Sequence, residues 1–123
     1  MPMSGTSRLS LTVAALLIAV PILAFSTTAS AASFDCNRQG LAADEMAICE
    51  NRDLNDLDVK MVTTFELISS LLPMGNRGEL QDQQSAWLRQ RQNCGADVDC
   101  LERAYEDRIT QINRVYDTIE KPQ

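Results

Sequence analysis

The sequence predicts an all-α fold, a small disulfide-stapled helical bundle of three longer helices plus a short N-terminal helix. Apolar residues recur at three- and four-residue steps in three stretches, the spacing of one face of an α-helix. No strand-like alternation of useful length follows the first 32 residues. Four cysteines in a chain of 123 residues are typical of a small exported domain that depends on disulfide bonds.

Residues 1–32 have the order of a secretory signal peptide: a basic end, an uncharged apolar stretch at 9–25, and then small residues. Cleavage is predicted after Ala31 or Ala32, because each cut would follow an Ala-x-Ala-like tripeptide. An uncleaved membrane anchor is the alternative. However, the apolar stretch is at the short limit for a hydrocarbon core of about 30 Å, and Pro21 interrupts it.

A lipid anchor on Cys36 is not expected, because a bulky Phe34 and an acidic Asp35 precede it where small residues are needed. The mature protein is therefore predicted to be one domain, residues 33–123, without stable membrane insertion. The expected location is the periplasm or the medium outside the cell.

The predicted mature domain is acidic, with ten basic residues against seventeen acidic ones and a net charge of −7. It has no cluster of Lys and Arg that would bind nucleic acid. Residues 33–58 hold seven of the acids and only two arginines. Such a segment is either a solvated, solubilising face or a docking surface for a cationic partner.

The first long helix is predicted to begin at an N-cap, Asp53, and to end before Pro73. A turn over PMGNRG follows, with Gly75 and Gly78 supplying backbone freedom, and the next helix is expected to start near Glu79. The inward stripes of these two helices are predicted to be Leu54, Leu57, Met61, Phe65, Ile68 and Leu72, and then Leu80, Gln84, Trp87, Arg91 and Cys94.

Gly95 is predicted to stop the second long helix, and Asp97 or Asp99 to cap the third. The inward stripe of that third helix is predicted to be Val98, Leu101, Tyr105, Ile109, Ile112, Tyr116 and Ile119. A shorter helix over ADEMAICEN is expected to turn Met46, Ile48 and Cys49 inward.

The four cysteines are read as two disulfides. Sequence alone allows three pairings, and the predicted helices favour Cys36–Cys49 and Cys94–Cys100. The second pair would clamp a tight turn between helices, where Cα atoms come within the ~5.5 Å that a disulfide needs. A zinc site or a redox pair is disfavoured, because the gaps of twelve and five residues match neither pattern.

The chain has few residues of the types that usually carry out catalysis. Histidine, the commonest general base and metal ligand, is absent. No serine after residue 32 lies in a glycine-flanked elbow, and bridged cysteines would leave no thiol nucleophile. We therefore predict neither enzymatic activity nor a metal or cofactor.

Trp87 and Arg91 lie one turn apart on a predicted inward stripe. We expect Trp87 to be a core residue rather than a binding anchor. Arg91 is expected to pair with a carboxylate or to cap backbone carbonyls, because an unpaired buried charge is costly. It could also lie along the face of the tryptophan.

Ordered motifs run through the predicted domain: FDC at 34–36, AIC at 47–49, LNDLD at 54–58, AWLRQRQNC at 86–94 and CLERAYEDRI at 100–109. Together they resemble the LprI-like family, named for a bacterial lysozyme inhibitor. The matching elements are Cys36, Ala47, Ile48, Cys49, Leu54, Leu57, Asp58, Trp87, Leu88, Arg91, Cys94, Cys100, Leu101, Tyr105, Arg108 and Ile109. The chain departs from the pattern before Ala47, where the Ser/Thr-Pro expected at a helix start is missing.

The resemblance implies a disulfide-bonded helical domain of the bacterial envelope that inhibits lysozyme, a muramidase, by direct binding. Its motif residues are mostly structural, so they do not carry over as an inhibitory site. An acidic inhibitor would be steered toward a cationic protein such as lysozyme. We therefore predict docking through the acidic segment 44–58 and the turn 73–79, with the candidate contact residues Asp44, Glu45, Asp53, Asp56, Asp58, Asn76 and Arg77.

A second hypothesis assigns the domain to another functional class. The domain could be a non-inhibitory periplasmic accessory module that binds another envelope protein, and the sequence does not separate the two readings.

Overall fold

The computed structural model describes residues 32–119. They form four α-helices joined by short connections: α1 (Ala43–Glu50), α2 (Arg52–Leu71), α3 (Met74–Arg91) and α4 (Val98–Asp117), with a 3₁₀ turn at Gln92–Cys94. No strand occurs in this range, so the predicted all-α fold of one short and three longer helices is confirmed. The predicted signal peptide lies outside the described residues except for Ala32. None of the four helices combines the length and the apolar character needed to cross a membrane.

The short helix α1 begins without the Ser/Thr-Pro that the family resemblance led us to expect. Glu45 takes over part of that role, because its Oε2 accepts a hydrogen bond of 2.9 Å from the Ala42 amide and pairs with Arg38 at 2.9 Å. The prediction that Met46 faces inward is wrong, since Met46 is exposed. The inward positions are Asp44, together with Ala47 and Ile48 three and four residues later.

The helix α2 starts two residues earlier than predicted. Its N-cap is Asn51 and not Asp53, because the Asn51 Oδ1 accepts from the Leu54 amide at 3.1 Å. Asp53 lies in the first turn, where its negative charge interacts favourably with the positive end of the helix dipole. The helix ends at Leu71, before Pro73, as predicted.

The predicted turn over 73–79 is not a turn. Pro73 is the N-cap of α3, which begins at Met74, so Gly75 and Gly78 lie inside the helix and neither has a positive φ. Arg77 makes this sharp corner feasible. Its Nε and Nη2 donate to the carbonyl oxygens of Ser69 and Leu72, at 3.0 and 3.1 Å, and so satisfy the open end of α2.

The connection from α3 to α4 follows the prediction closely. Gly95 has φ of +55°, a conformation that side-chain-bearing residues rarely adopt, and it ends the 3₁₀ turn. Asp97 is the cap of α4, accepting from the Cys100 amide at 3.0 Å. The Cys94–Cys100 disulfide spans this connection.

Both predicted disulfide pairs are confirmed, with Cα separations of 5.8 Å for Cys36–Cys49 and 5.6 Å for Cys94–Cys100. In the chain-entropy description, loops of fourteen and seven residues contribute about 3.0 and about 2.4 kcal/mol. These amounts are large beside the total stability of about 5–10 kcal/mol that is usual for a domain of this size.

The core lies mainly between α2 and α4, and α1 and α3 pack around that pair. Its buried apolar residues, apart from Ala47, follow the predicted stripes, and Trp87 belongs to it, so the prediction that Trp87 is a core residue is confirmed. The prediction that Tyr116 faces inward is wrong, since Tyr116 is exposed. The core comprises Ala47, Ile48, Leu54, Met61, Ile68, Leu72, Leu80, Trp87, Leu101, Tyr105, Ile109 and Ile112.

Candidate functional site

Arg91 is buried inside the domain, where two of its guanidinium nitrogens donate hydrogen bonds. Its Nε donates to Asp44 Oδ2 at 2.9 Å, and its Nη1 donates to the Tyr105 hydroxyl at 3.0 Å. The Tyr105 hydroxyl in turn donates to Asp58 Oδ1 at 2.8 Å, which leaves Arg91 Nη1 3.8 Å from the same oxygen. We call these four residues the Arg91 network; they come from α3, α1, α4 and α2 respectively.

Aromatic rings enclose the guanidinium. Its Cζ lies 5.8 Å from the centre of the Trp87 ring and 6.0 Å from that of Phe34. Trp87 packs edge-on against Tyr105, with their ring centres 5.2 Å apart, and its Nε1 donates to the Ala104 carbonyl at 3.2 Å. The predicted pairing of Arg91 with a carboxylate is therefore confirmed, and so is its contact with the tryptophan.

The protonation states in the network follow from its geometry. Burial by itself would lower the pKa of Arg91, but contacts with Tyr105 and Asp44 outweigh it and leave that pKa above the ordinary value. Burial, with the Asp58 carboxylate nearby, raises the pKa of Tyr105 far above its usual range. The phenol is therefore neutral and can donate to Asp58 while it accepts from Arg91.

Asp44 and Asp58 are therefore wrongly placed by the docking prediction. Both carboxylates are essentially inaccessible, at 1% and 0% exposure, and both are bonded inside the Arg91 network. A partner protein could reach them only by unfolding the domain. Their charge serves the interior, because the two carboxylates offset the cost of burying the Arg91 guanidinium beside them.

The other acidic candidates lie at the surface. Asp53 and Asp56 are exposed, three residues apart on α2. Glu45 is partly exposed, and its carboxylate is bonded to Arg38 and to the Ala42 amide. A role for these three in binding a partner stays a prediction.

The two candidates from the predicted turn 73–79 have different surroundings. Asn76 is exposed in the first turns of α3. Arg77 is partly buried, and its guanidinium donates to two backbone carbonyls at the end of α2. It is therefore a structural residue of the corner between α2 and α3. Its part in binding a partner also stays a prediction.

One surface feature was not predicted from the sequence. The outward residues of α2 form a single exposed row, which we call the outer face of α2: Asp53, Asp56, Lys60, Thr63, Leu67 and Leu71. At its end, Leu67 and Leu71 are 61% and 50% exposed, and Met74, just past the corner, is 85% exposed. We call Leu67, Leu71 and Met74 the apolar corner. The only sequence signal for it was that these residues fall outside the inward stripe.

A second buried guanidinium, that of Arg108, has no carboxylate of residues 32–119 within ion-pair distance. Its Nε donates to Gln84 Oε1 at 2.8 Å and its Nη1 to Gln111 at 3.2 Å, while Nη2 has no partner among the described residues. Burial lowers the pKa of Arg108, although a guanidinium still stays protonated at any physiological pH.

The described residues offer little for a cofactor or metal. All four cysteines are bridged, and no group of three or more Cys, Asp or Glu side chains within 32–119 could hold a metal ion. A shallow groove of about 460 Å³ runs between α3 and α4, lined by polar groups such as Gln90, Asn93 and Gln111.

We predict that Arg91→Met lowers the free energy of unfolding by about 3–5 kcal/mol, because it leaves two buried carboxylates without their cation. Tyr105→Phe, which keeps the ring and removes the bridging hydroxyl, should cost about 1–3 kcal/mol. Urea unfolding measures both. The matched control is Arg89→Met, an exposed arginine on the same helix, which should stay within about 0.5 kcal/mol of the parent. A similar loss in Arg91→Met and Arg89→Met would contradict the role given to the network.

The family model described as lysozyme inhibitor LprI matches residues 36–112. No curated protein and no solved structure matches the chain. The matched segment includes both disulfides, the whole Arg91 network and the outer face of α2. The chain therefore belongs to the LprI family of lysozyme inhibitors.

Proposed function

We propose that this protein is exported across the bacterial cytoplasmic membrane and inhibits lysozyme by binding it directly, without catalysis. Membership of an inhibitor family is the observation that carries the proposal. The two disulfides support export, because such bonds persist in oxidising compartments outside the cytoplasm.

The charge of the domain favours a basic partner. Its net charge is −7 after the predicted cleavage, and within residues 32–119 the fully buried acids are Asp44 and Asp58, which lie beside Arg91. Animal lysozymes are strongly basic. Opposite net charges steer two proteins together and raise the association rate more than the final affinity.

The outer face of α2 has the layout of a docking surface for such a partner. Asp53 and Asp56 lie at its start and Leu67 and Leu71 at its end, so the row extends over about 27 Å at 1.5 Å per residue. A lysozyme cleft holds two catalytic carboxylates, one of them in an apolar pocket beside a tryptophan. Acids would be repelled there, whereas leucine and methionine side chains would fit.

We therefore place the apolar corner in the cleft and the acidic start of α2 against the basic surface beside it. Interfaces obtain most of their affinity from a few desolvated anchor residues, and surrounding charges contribute mainly to rate and orientation. Complete burial of one leucine or methionine side chain is worth about 1.5–3 kcal/mol. Leu67, Leu71 and Met74 are all at least half exposed, so each has apolar surface to bury against a partner.

The first prediction from this proposal is that the purified protein slows lysis of bacterial cell walls by lysozyme. The measurement is the fall in turbidity at several-fold molar excess of the protein, with more than one type of lysozyme. If no lysozyme is slowed, inhibition is refuted and the non-inhibitory accessory module becomes the better reading.

The second prediction concerns charge. Reversal of both surface acids, Asp53→Lys with Asp56→Lys, should weaken inhibition about tenfold at low ionic strength, because steering is lost. The difference should shrink above 0.15 M salt, where the screening length is about 8 Å. The control reverses Asp82 and Glu106, which are exposed on other helices, and so changes net charge equally. Equal effects of the two pairs would show that net charge, and not the outer face of α2, matters.

The third prediction concerns the apolar corner. Replacing Leu67, Leu71 and Met74 by serine should weaken inhibition by at least about thirtyfold at every salt concentration, since the loss of even one anchor residue costs about 2 kcal/mol. Met46→Ser with Leu88→Ser is the matched control, because both residues are exposed apolar side chains elsewhere on the surface. Inhibition that survives the corner substitutions unchanged would place the contact on another face.

A further inference from the structure

The backbone nitrogen of Ser33 makes the shortest polar contact of the buried carboxylate Asp58. It lies 2.6 Å from Asp58 Oδ2, whereas the other oxygen, Oδ1, accepts from Tyr105 at 2.8 Å. Asp58 has no exposed surface. The segment before α1 therefore supplies one of the donors on which this carboxylate depends.

The charges around Asp58 do not balance. The Arg91 network contains two carboxylates, those of Asp44 and Asp58, and one guanidinium. The other buried cation, Arg108, is bonded to glutamine side chains and not to these acids. A buried site with one negative charge in excess is costly, so a further positive charge beside Asp58 would stabilise the fold.

The position of the Ser33 nitrogen is fixed by the residues that follow it. Phe34 packs against the core with its ring centre 6.0 Å from Arg91 Cζ, and Cys36 is bonded to Cys49 of α1. Ser33 itself is exposed. A charged nitrogen at this point could bond Asp58 with one hydrogen and keep the others in water.

We propose that the signal peptide is removed between Ala32 and Ser33 and that the new α-ammonium of Ser33 forms an ion pair with Asp58. Hydrolysis of this peptide bond consumes one water, leaves a carboxylate on Ala32 and creates the α-ammonium on Ser33. The cleavage thereby provides the missing positive charge of the Arg91 network. The proposal rests on the export part of the proposed function and not on the identity of the partner.

The ion pair makes stability depend on pH in a defined direction. The groups facing the Ser33 nitrogen are Asp58 of α2, at 2.6 Å, and beyond it Tyr105 of α4, Arg91 of α3 and Asp44 of α1. Asp58 is the nearest, so the folded-state pKa of the α-amino group lies above its unfolded value of about 7.7–8.0. The stabilisation is complete below that unfolded pKa and is lost as pH rises through the folded one.

The cleavage position is tested by expressing the full chain in a bacterium and measuring the mass of the periplasmic product. A product that begins at Ser33 supports the proposal. A product that begins at Ala32 would overturn it, although export itself would stand. An uncleaved chain in the cytoplasm would overturn both, and the turbidity assay on purified protein would still decide whether the protein inhibits lysozyme.

The ion pair is tested by urea unfolding of the exported protein between pH 7 and pH 10. The unfolding equilibrium constant should rise about tenfold for each unit by which folding raises the α-amino pKa. Asp58→Asn should abolish that rise. Ala32→Leu should abolish it as well, because a bulky residue at 32 leaves only the cut after Ala31, and the Ser33 nitrogen then stays a neutral amide.

Two results would overturn the ion pair even if cleavage occurs after Ala32. One is an α-amino group that titrates at its ordinary pKa in the folded protein, measured by NMR. The other is a pH dependence that is the same in the parent and in Asp58→Asn.

Discussion

The guanidinium of Arg91 connects the four α-helices that the structure describes. It belongs to α3, bonds Asp44 of α1 and Tyr105 of α4, and reaches Asp58 of α2 through the tyrosine hydroxyl. A domain this small cannot obtain a unique packing from apolar burial alone as readily as a larger one. A polar cluster whose partners come from four helices specifies one arrangement, because any other packing leaves a buried charge unpaired.

The network also divides the acidic residues into two groups with different roles. Asp44 and Asp58 are withdrawn from solvent and hold the helices together. Asp53 and Asp56 belong to the same stretch of sequence, but they point outward and give the surface its charge. The two roles alternate along α2 because successive residues differ by about 100° in direction, so a single acidic segment serves both the interior and the surface.

Much of the fold could be predicted from the sequence, because it depends on local patterns. Helical spacing placed Leu54, Met61 and Ile109 in the core, and the predicted helices favoured the correct disulfides. The errors arose where a distant partner decides. Asp58 lies four residues after Leu54 and three before Met61, on the inward side of α2, whereas the exposed Asp56 does not. Spacing alone does not show which partner an acid would find there, because that partner, Arg91 with Tyr105, comes from distant helices.

The start of α3 and the apolar corner were also not predicted from the sequence, because each depends on contacts between helices. PMGNRG has the composition of a turn, and it is helical because Arg77 reaches back to the carbonyls that end α2. The apolar corner was missed for a related reason: a leucine outside the inward stripe can be covered by another element or left exposed, and sequence spacing does not say which.

The separation between the Arg91 network and the outer face of α2 bears on how such proteins can evolve. Within the network a single replacement leaves a charge without its partner, so changes there must be coupled to be tolerated. Residues such as Thr63, Leu67 and Leu71 point away from that cluster, and substitutions at sites without shared partners act almost independently. A lineage can therefore alter the surface it offers to a changing target one residue at a time, while the interior is inherited as a unit.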